Sequence, residues 1–140
     1  TVVRWGGEEF LVVARNAARQ DAAVLAERIR AAVSAHPFDV GEREPLHRTC
    51  SLGFACFPLV PEQPALLGWE QVVDLADHCL YAAKRSGRDA WVGVLAAEGG
   101  DPQAIWRGVP NGIPALLAEG HLEACVSPGV VGDLDWSLGG

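Results

Sequence analysis

The segment Gly6-Gly7-Glu8-Glu9 interrupts an apolar stretch near the start of the chain, with Thr1-Val2-Val3 on one side and Phe10-Leu11-Val12-Val13-Ala14 on the other. Two β-rich runs separated by a few turn formers predict a β-hairpin. Glycine at the turn lets the backbone reach positive φ and leaves room for a ligand to approach the main chain. The adjacent glutamates at the tip offer oxygen donors of the kind that hold a hard cation such as Mg²⁺, together with phosphates of a substrate. The competing reading is a plain solvated turn, since glutamate is usually a surface residue.

The rest of the chain sets the frame for that hairpin. Its 140 residues suffice for one domain with a proper core. A hydrophobic fraction of 49% beside 21% charged residues suits a soluble globular protein. No apolar run reaches the roughly 18–20 residues needed to cross a bilayer, and no basic-then-apolar start argues for export, so a cytoplasmic setting is expected, with a membrane anchor elsewhere in a longer parent left open. The net charge of −7 is uneven: residues 1–94 carry a balance of −2, and residues 95–140 carry −5 with Arg107 as their only Lys or Arg. Neither part has the basic stripe of a nucleic-acid binder, so a nucleotide here would be a small ligand rather than a polymer. Cys50, Cys56, Cys79 and Cys125 form no CxxC pair. The first three lie in apolar stretches and are expected as buried free thiols.

In chain order, Ala22, Leu25, Ile29 and Val33 recur at helical spacing, with Ala26 and Ala32 beside them, and predict an amphipathic helix over 18–34 that ends before Pro37. Phe38-Asp39-Val40 is a candidate short strand, and Leu46 to Phe57 reads as a longer one with Gly53 in its middle. A mid-strand glycine marks a bulge or the close approach of a ligand or another backbone. His47 lacks a partner in sequence and is expected at the surface. A second helix is expected over Trp69–Ser86, with Val72, Leu75, Ala76, Cys79, Leu80 and Ala83 on its apolar stripe. Gly87 follows as the residue that ends it in a left-handed conformation. Lys84 and Arg88, at that terminus, would interact favourably with the helix dipole even without any further role. Ala90–Leu95 is the last predicted strand. From Ala96 the texture becomes Gly/Pro-rich and acidic, with one short helix expected near Pro114–Glu119 and no internal repeat.

Three blocks now stand in order: Arg4-Trp5-Gly6-Gly7-Glu8-Glu9-Phe10, Ser51-Leu52-Gly53-Phe54-Ala55, and Ala76-Asp77-His78-Cys79-Leu80-Tyr81-Ala82-Ala83-Lys84-Arg85-Ser86-Gly87-Arg88-Asp89. Together they resemble the GGDEF domain of bacterial diguanylate cyclases, in its GGEEF form, over residues 1–95. The resemblance implies an α/β (α+β) fold like that of nucleotidyl cyclases and polymerase palms, a mostly antiparallel sheet with flanking helices and the signature on a hairpin. It implies condensation of two GTP molecules into cyclic di-GMP with release of pyrophosphate, dependent on Mg²⁺ or Mn²⁺, at the interface of a homodimer. Carried over residue by residue, Glu8 looks like the metal ligand and catalytic carboxylate and Glu9 like its required neighbour. Gly6 and Gly7 would seat the nucleotide against the backbone, and Lys84 and Arg88 would hold its phosphates.

The chain also departs from the family pattern. The family domain begins with a strand bearing a metal-binding Asp and with guanine-contacting residues, which are not found in these 140 residues. Together with the start at Thr-Val-Val, this suggests a piece lacking its upstream part and the N-terminal portion of the fold, inactive on its own. The family's inhibitory R-x-x-D motif would fall before Thr1, and Asp89 stands where the family usually has Asn. Residues 96–140 lie outside the resemblance, as a tail of unassigned role. The alternative function is a non-catalytic module that binds GTP or cyclic di-GMP and signals through partner contact.

Overall fold

The computed structural model describes residues 1–137. Strands β1 (Val2–Gly6) and β2 (Glu9–Val12) form the expected antiparallel hairpin, pairing Val2 with Val12 and Arg4 with Phe10 and slipping by a bulge before Gly6 meets Glu9. A 3₁₀ turn at Arg19–Asp21 leads into helix α1 (Ala22–Ala35), where Ala26 is buried while Leu25, Ile29 and Val33 are half-buried. Phe38 forms only an isolated bridge to Leu46.

The long strand expected over 46–57 is shorter than the pattern predicts, with β3 spanning Leu52–Ala55. Its ladder partner accounts for this. Strand β4 (Trp91–Ala96) runs parallel to β3 from Leu52↔Trp91 to Ala55↔Val94, so the residues before Leu52 have no β4 residue opposite them. At the other end Pro58 has no N–H with which to extend a ladder.

Helix α2 (Trp69–Arg85) lies across β3 and β4. Gln71 accepts the Gly68 N–H at its start, and the predicted stripe faces inward, with Val72, Leu75, Cys79 and Ala83 buried and joined by Ala82. Gly53 is explained by this packing: a Cβ there would run into the backbone of α2 at Ala76 and Leu80. The close approach expected at Gly53 is therefore that of a helix backbone.

The segment after β4 contributes more structure than its texture suggests. It holds α3 (Pro102–Gly108), α4 (Ile113–Ala118) and β5 (Leu122–Val126). Strand β5 pairs antiparallel with the far edge of β4, giving the order β3-β4-β5 with β4 central. Asp101 caps α3 by accepting the Gln103 N–H, and Pro102 occupies the first turn, where its missing donor costs nothing. Ile105, Ile113, Leu116 and Leu122 enter the same buried cluster as Leu75, Val92 and Val94. All four cysteines are free; Cys79 is buried and the other three are half-buried. No helix among the described residues is long and apolar enough to cross a membrane.

Candidate active site at the hairpin and the end of α2

The hairpin turn is built as its sequence demands. Gly7 takes φ +51°, and the Arg4 guanidinium folds back to donate two hydrogen bonds to the Gly7 carbonyl, at 3.2 and 2.9 Å. A Cβ at Gly6 or Gly7 would meet no atom within 4 Å, so the backbone face stands open. Glu8 is exposed at the tip and, among the described residues, its carboxylate has no hydrogen-bond partner. Glu9 is turned inward instead: its Oε1 pairs with Lys84 Nζ at 3.2 Å, bridging 75 residues of sequence.

The other half of the site comes from the end of α2. The Arg88 N–H reaches back to the Ala83 carbonyl (3.2 Å), the bond that closes a Schellman-type helix end, and Gly87 takes φ +109° as the predicted left-handed residue. Arg88 and Asp89 continue with φ +63° and +45°. Lys84 and Arg88 are thus not neighbours on one continuous helix face; α2 stops at Arg85, and a left-handed turn carries Arg88 round. Both still line one cavity of about 360 Å³, with Glu9, Tyr81 and Arg85. Of the residues singled out in the sequence, Glu9, Lys84 and Arg88 share the cavity wall, Gly6 and Gly7 lie in the adjoining turn, and Glu8 sits at the tip, outside the wall.

Sequence reading passed over Tyr81 and Arg85, because nothing in a helical stripe marks a residue that flanks a cavity beyond its end. It also left the Asp at position 89 unexplained. Asp89 accepts a 2.8 Å bond from Arg30 of α1, whose guanidinium also binds Glu27 at 2.7 and 3.0 Å. Glu27 accepts the Trp91 indole N–H at 2.8 Å as well. The Arg30 guanidinium first, and the Trp91 indole second, hold the Glu27 carboxyl down from 4.5 to about 2. The network ties α1 to the start of β4 and to the turn after α2, at the residue following Arg88. His47 is exposed, as expected.

The donor set fits a hard divalent ion in a limited sense. Among the described residues no group of three or more His, Cys, Asp or Glu side chains is arranged to hold a metal. An exposed, unpaired carboxylate beside an open glycine backbone is nonetheless what an ion shared with substrate phosphates requires.

The sequence family described as diguanylate cyclase, GGDEF domain, matches residues 1–90. The chain belongs to the GGDEF family. This GGDEF chain is 43% identical over 94 residues to the response regulator PleD of Caulobacter vibrioides, covering 66% of this chain and 20% of PleD. It is 41% identical over 88 residues to the diguanylate cyclase DgcP of Pseudomonas aeruginosa, covering 63% and 12%. Against the diguanylate cyclase DosC of Escherichia coli K12 the identity is 34% over 88 residues, covering 63% and 18%. The chain therefore spans at most about a fifth of the length of these curated relatives. No solved structure gives a significant match. The mixed α+β architecture, with antiparallel and parallel pairings under packed helices, agrees with the palm-like fold of the family.

Proposed function

We propose that this domain serves a diguanylate cyclase, joining two GTP molecules into cyclic di-GMP and releasing pyrophosphate. The observation that carries the reading is the convergence of Glu9, Lys84 and Arg88 on one cavity beside the open Gly6-Gly7 turn, within a chain of the GGDEF family.

Lys84 and Arg88 bind the phosphates of GTP, Lys84 as a point charge and Arg88 through a fork that matches two oxygens. As Lys84 turns to the phosphates it leaves Glu9, and the freed carboxylate stays beside the reacting groups. Glu8, with the nucleotide's own phosphates, would hold Mg²⁺ or Mn²⁺, and such an ion supplies neutralisation of the charge that develops on the phosphoryl oxygens. The 3′-oxygen of each GTP bonds to the α-phosphorus of the other as the bond to pyrophosphate there breaks, so two phosphodiester bonds form and two pyrophosphates leave. Each hydroxyl proton passes to a hairpin carboxylate, with Glu8 best exposed to receive it. Each domain brings one GTP, so two copies meet face to face. The reading carries the cytoplasm as its compartment, where GTP is supplied.

The test is turnover of GTP with Mg²⁺ by the complete protein beside its Glu8→Ala variant. The expected result is cyclic di-GMP from the first and a loss of about 10²–10³-fold in the second, the scale of removing one transition-state stabiliser. Equal product from both removes Glu8 from its role. Tight GTP binding without product from the natural protein would instead favour the non-catalytic binding module.

A further inference from the structure

Residues 134–136 lie far beyond the family match, which ends at residue 90, yet through Asp135 they reach Arg85 of the cavity wall. Leu134 and Trp136 pack against the buried core and flank Asp135. Asp135 is doubly engaged. Its Oδ1 accepts the Ser137 backbone N–H at 2.9 Å and the Ser137 hydroxyl, while its Oδ2 faces Arg85 Nη1 at 3.4 Å. Arg85 is the third cation of the cavity wall, beside Lys84 and Arg88. Lys84 is matched by Glu9, Arg85 is matched by Asp135, and Arg88 has no carboxylate partner among the described residues.

We propose that Arg85 is a further phosphate-binding residue of this cavity and that Asp135, delivered by the C-terminal segment, is its built-in competitor for the nucleotide's phosphates. The inference rests on the reading of the cavity as a GTP-phosphate site. Asp135 occupies the Nη1 end of the guanidinium, so a phosphate that uses that end must displace it. Ser137 holds the Asp135 carboxylate in its ionised form and in a fixed orientation, lowering its pKa ahead of any contribution from Arg85. The Arg85 contact is long and both side chains are partly exposed, which keeps it weak enough for a multiply charged phosphate chain to displace. The contact thus raises the GTP concentration at which the site fills, without closing it.

The experiment measures binding of a GTP analogue with a methylene between the α and β phosphorus atoms, in Mg²⁺, to the complete protein by calorimetry. Asp135→Asn is expected to tighten binding about two- to five-fold, the scale of one exposed ion pair. Arg85→Ala is expected to weaken it about three- to ten-fold, the scale of one charge-assisted hydrogen bond partly exposed to water. In the Arg85→Ala background, Asp135→Asn should change nothing further. Unchanged affinity in Asp135→Asn, or the same tightening with and without Arg85, overturns the proposal. Lys84→Ala separates the two levels: if it leaves binding of the analogue unchanged, the cavity reading itself fails. If it weakens binding while Asp135→Asn has no effect, only the role of Asp135 fails. Both Arg85 and Asp135 sit at the surface, and a thermal melt of each variant verifies that it is folded.

Discussion

Glycines in the hairpin and glycines in the sheet serve opposite ends in this molecule. Gly6 and Gly7 face open space, where a side chain would meet nothing, while Gly53 and Gly93 are filled from outside, by the α2 backbone and by the Phe54 ring. The hairpin is also poorly covered, with Val2, Trp5 and Phe10 all exposed, whereas β4 is buried along most of its length. In the sheet, the missing side chain lets α2 come close enough to fix where its last turn, and so Lys84, sits. In the hairpin it leaves backbone open to a ligand. One kind of residue positions the site and the other receives what binds there.

Substitutions can break this contrast, and the largest effect belongs to chemistry at the tip. Glu8→Ala should cut turnover of the complete protein by about 10²–10³-fold. Its thermal midpoint should stay unchanged, because the carboxylate has no partner to lose among the described residues. Gly53→Ala should act the other way. Overpacking against backbone costs about 1–3 kcal/mol or more, readable as a lower denaturation midpoint, and activity should fall with it as α2 and Lys84 are displaced. Unaltered stability in Gly53→Ala would mean that α2 does not rest on β3 as described. Lys84→Ala should weaken GTP about ten-fold through loss of a charge-assisted phosphate contact. Because the Glu9 pair is partly exposed, stability should move by no more than about 1 kcal/mol. Gly6→Ala is the mildest, within about 0.5 kcal/mol in stability. A rise in the KM for GTP without loss of stability would show that its open face is used.

The Glu27–Arg30–Asp89 network adds a pH dependence. The Glu27 carboxyl is held below its ordinary value, from 4.5 to about 2, so its contribution to stability is complete above the unfolded value. It is lost as pH falls from about 4.5 through about 2. Denaturation midpoints from pH 7 to pH 2, compared with Glu27→Gln, should show a difference that shrinks across that window. A constant difference would remove Glu27 from the ion-pair network.

Much of this was legible in the residues. The hairpin, α1, α2, the helix end at Gly87 and the strand after it follow from local pattern, since turn chemistry and helical spacing act over a few residues. The limits of β3 were not legible, because a strand ends where its ladder partner ends, and Trp91 is 39 positions away from Leu52. Of residues 102–126 only the short helix expected near Pro114–Glu119 was legible, as α4 (Ile113–Ala118); α3, with 7 residues, is too short for a repeating apolar stripe, and the pairing of β5 left no local sign. Ile105, Ile113 and Leu116 become core only because β5 adds to β4 and brings them over the sheet.

The sequence by itself determined the turn at Gly6-Gly7, with its two carboxylates, and the cationic end of α2. These rest on backbone freedom and residue chemistry, which are local. Only the tertiary structure decided that Glu9 meets Lys84, that Glu8 points outward while Glu9 turns in, that Asp89 belongs to Arg30, and that Asp135 reaches Arg85. Those pairs span 50 to 75 positions, and no local preference encodes a contact that depends on how helices and strands stack.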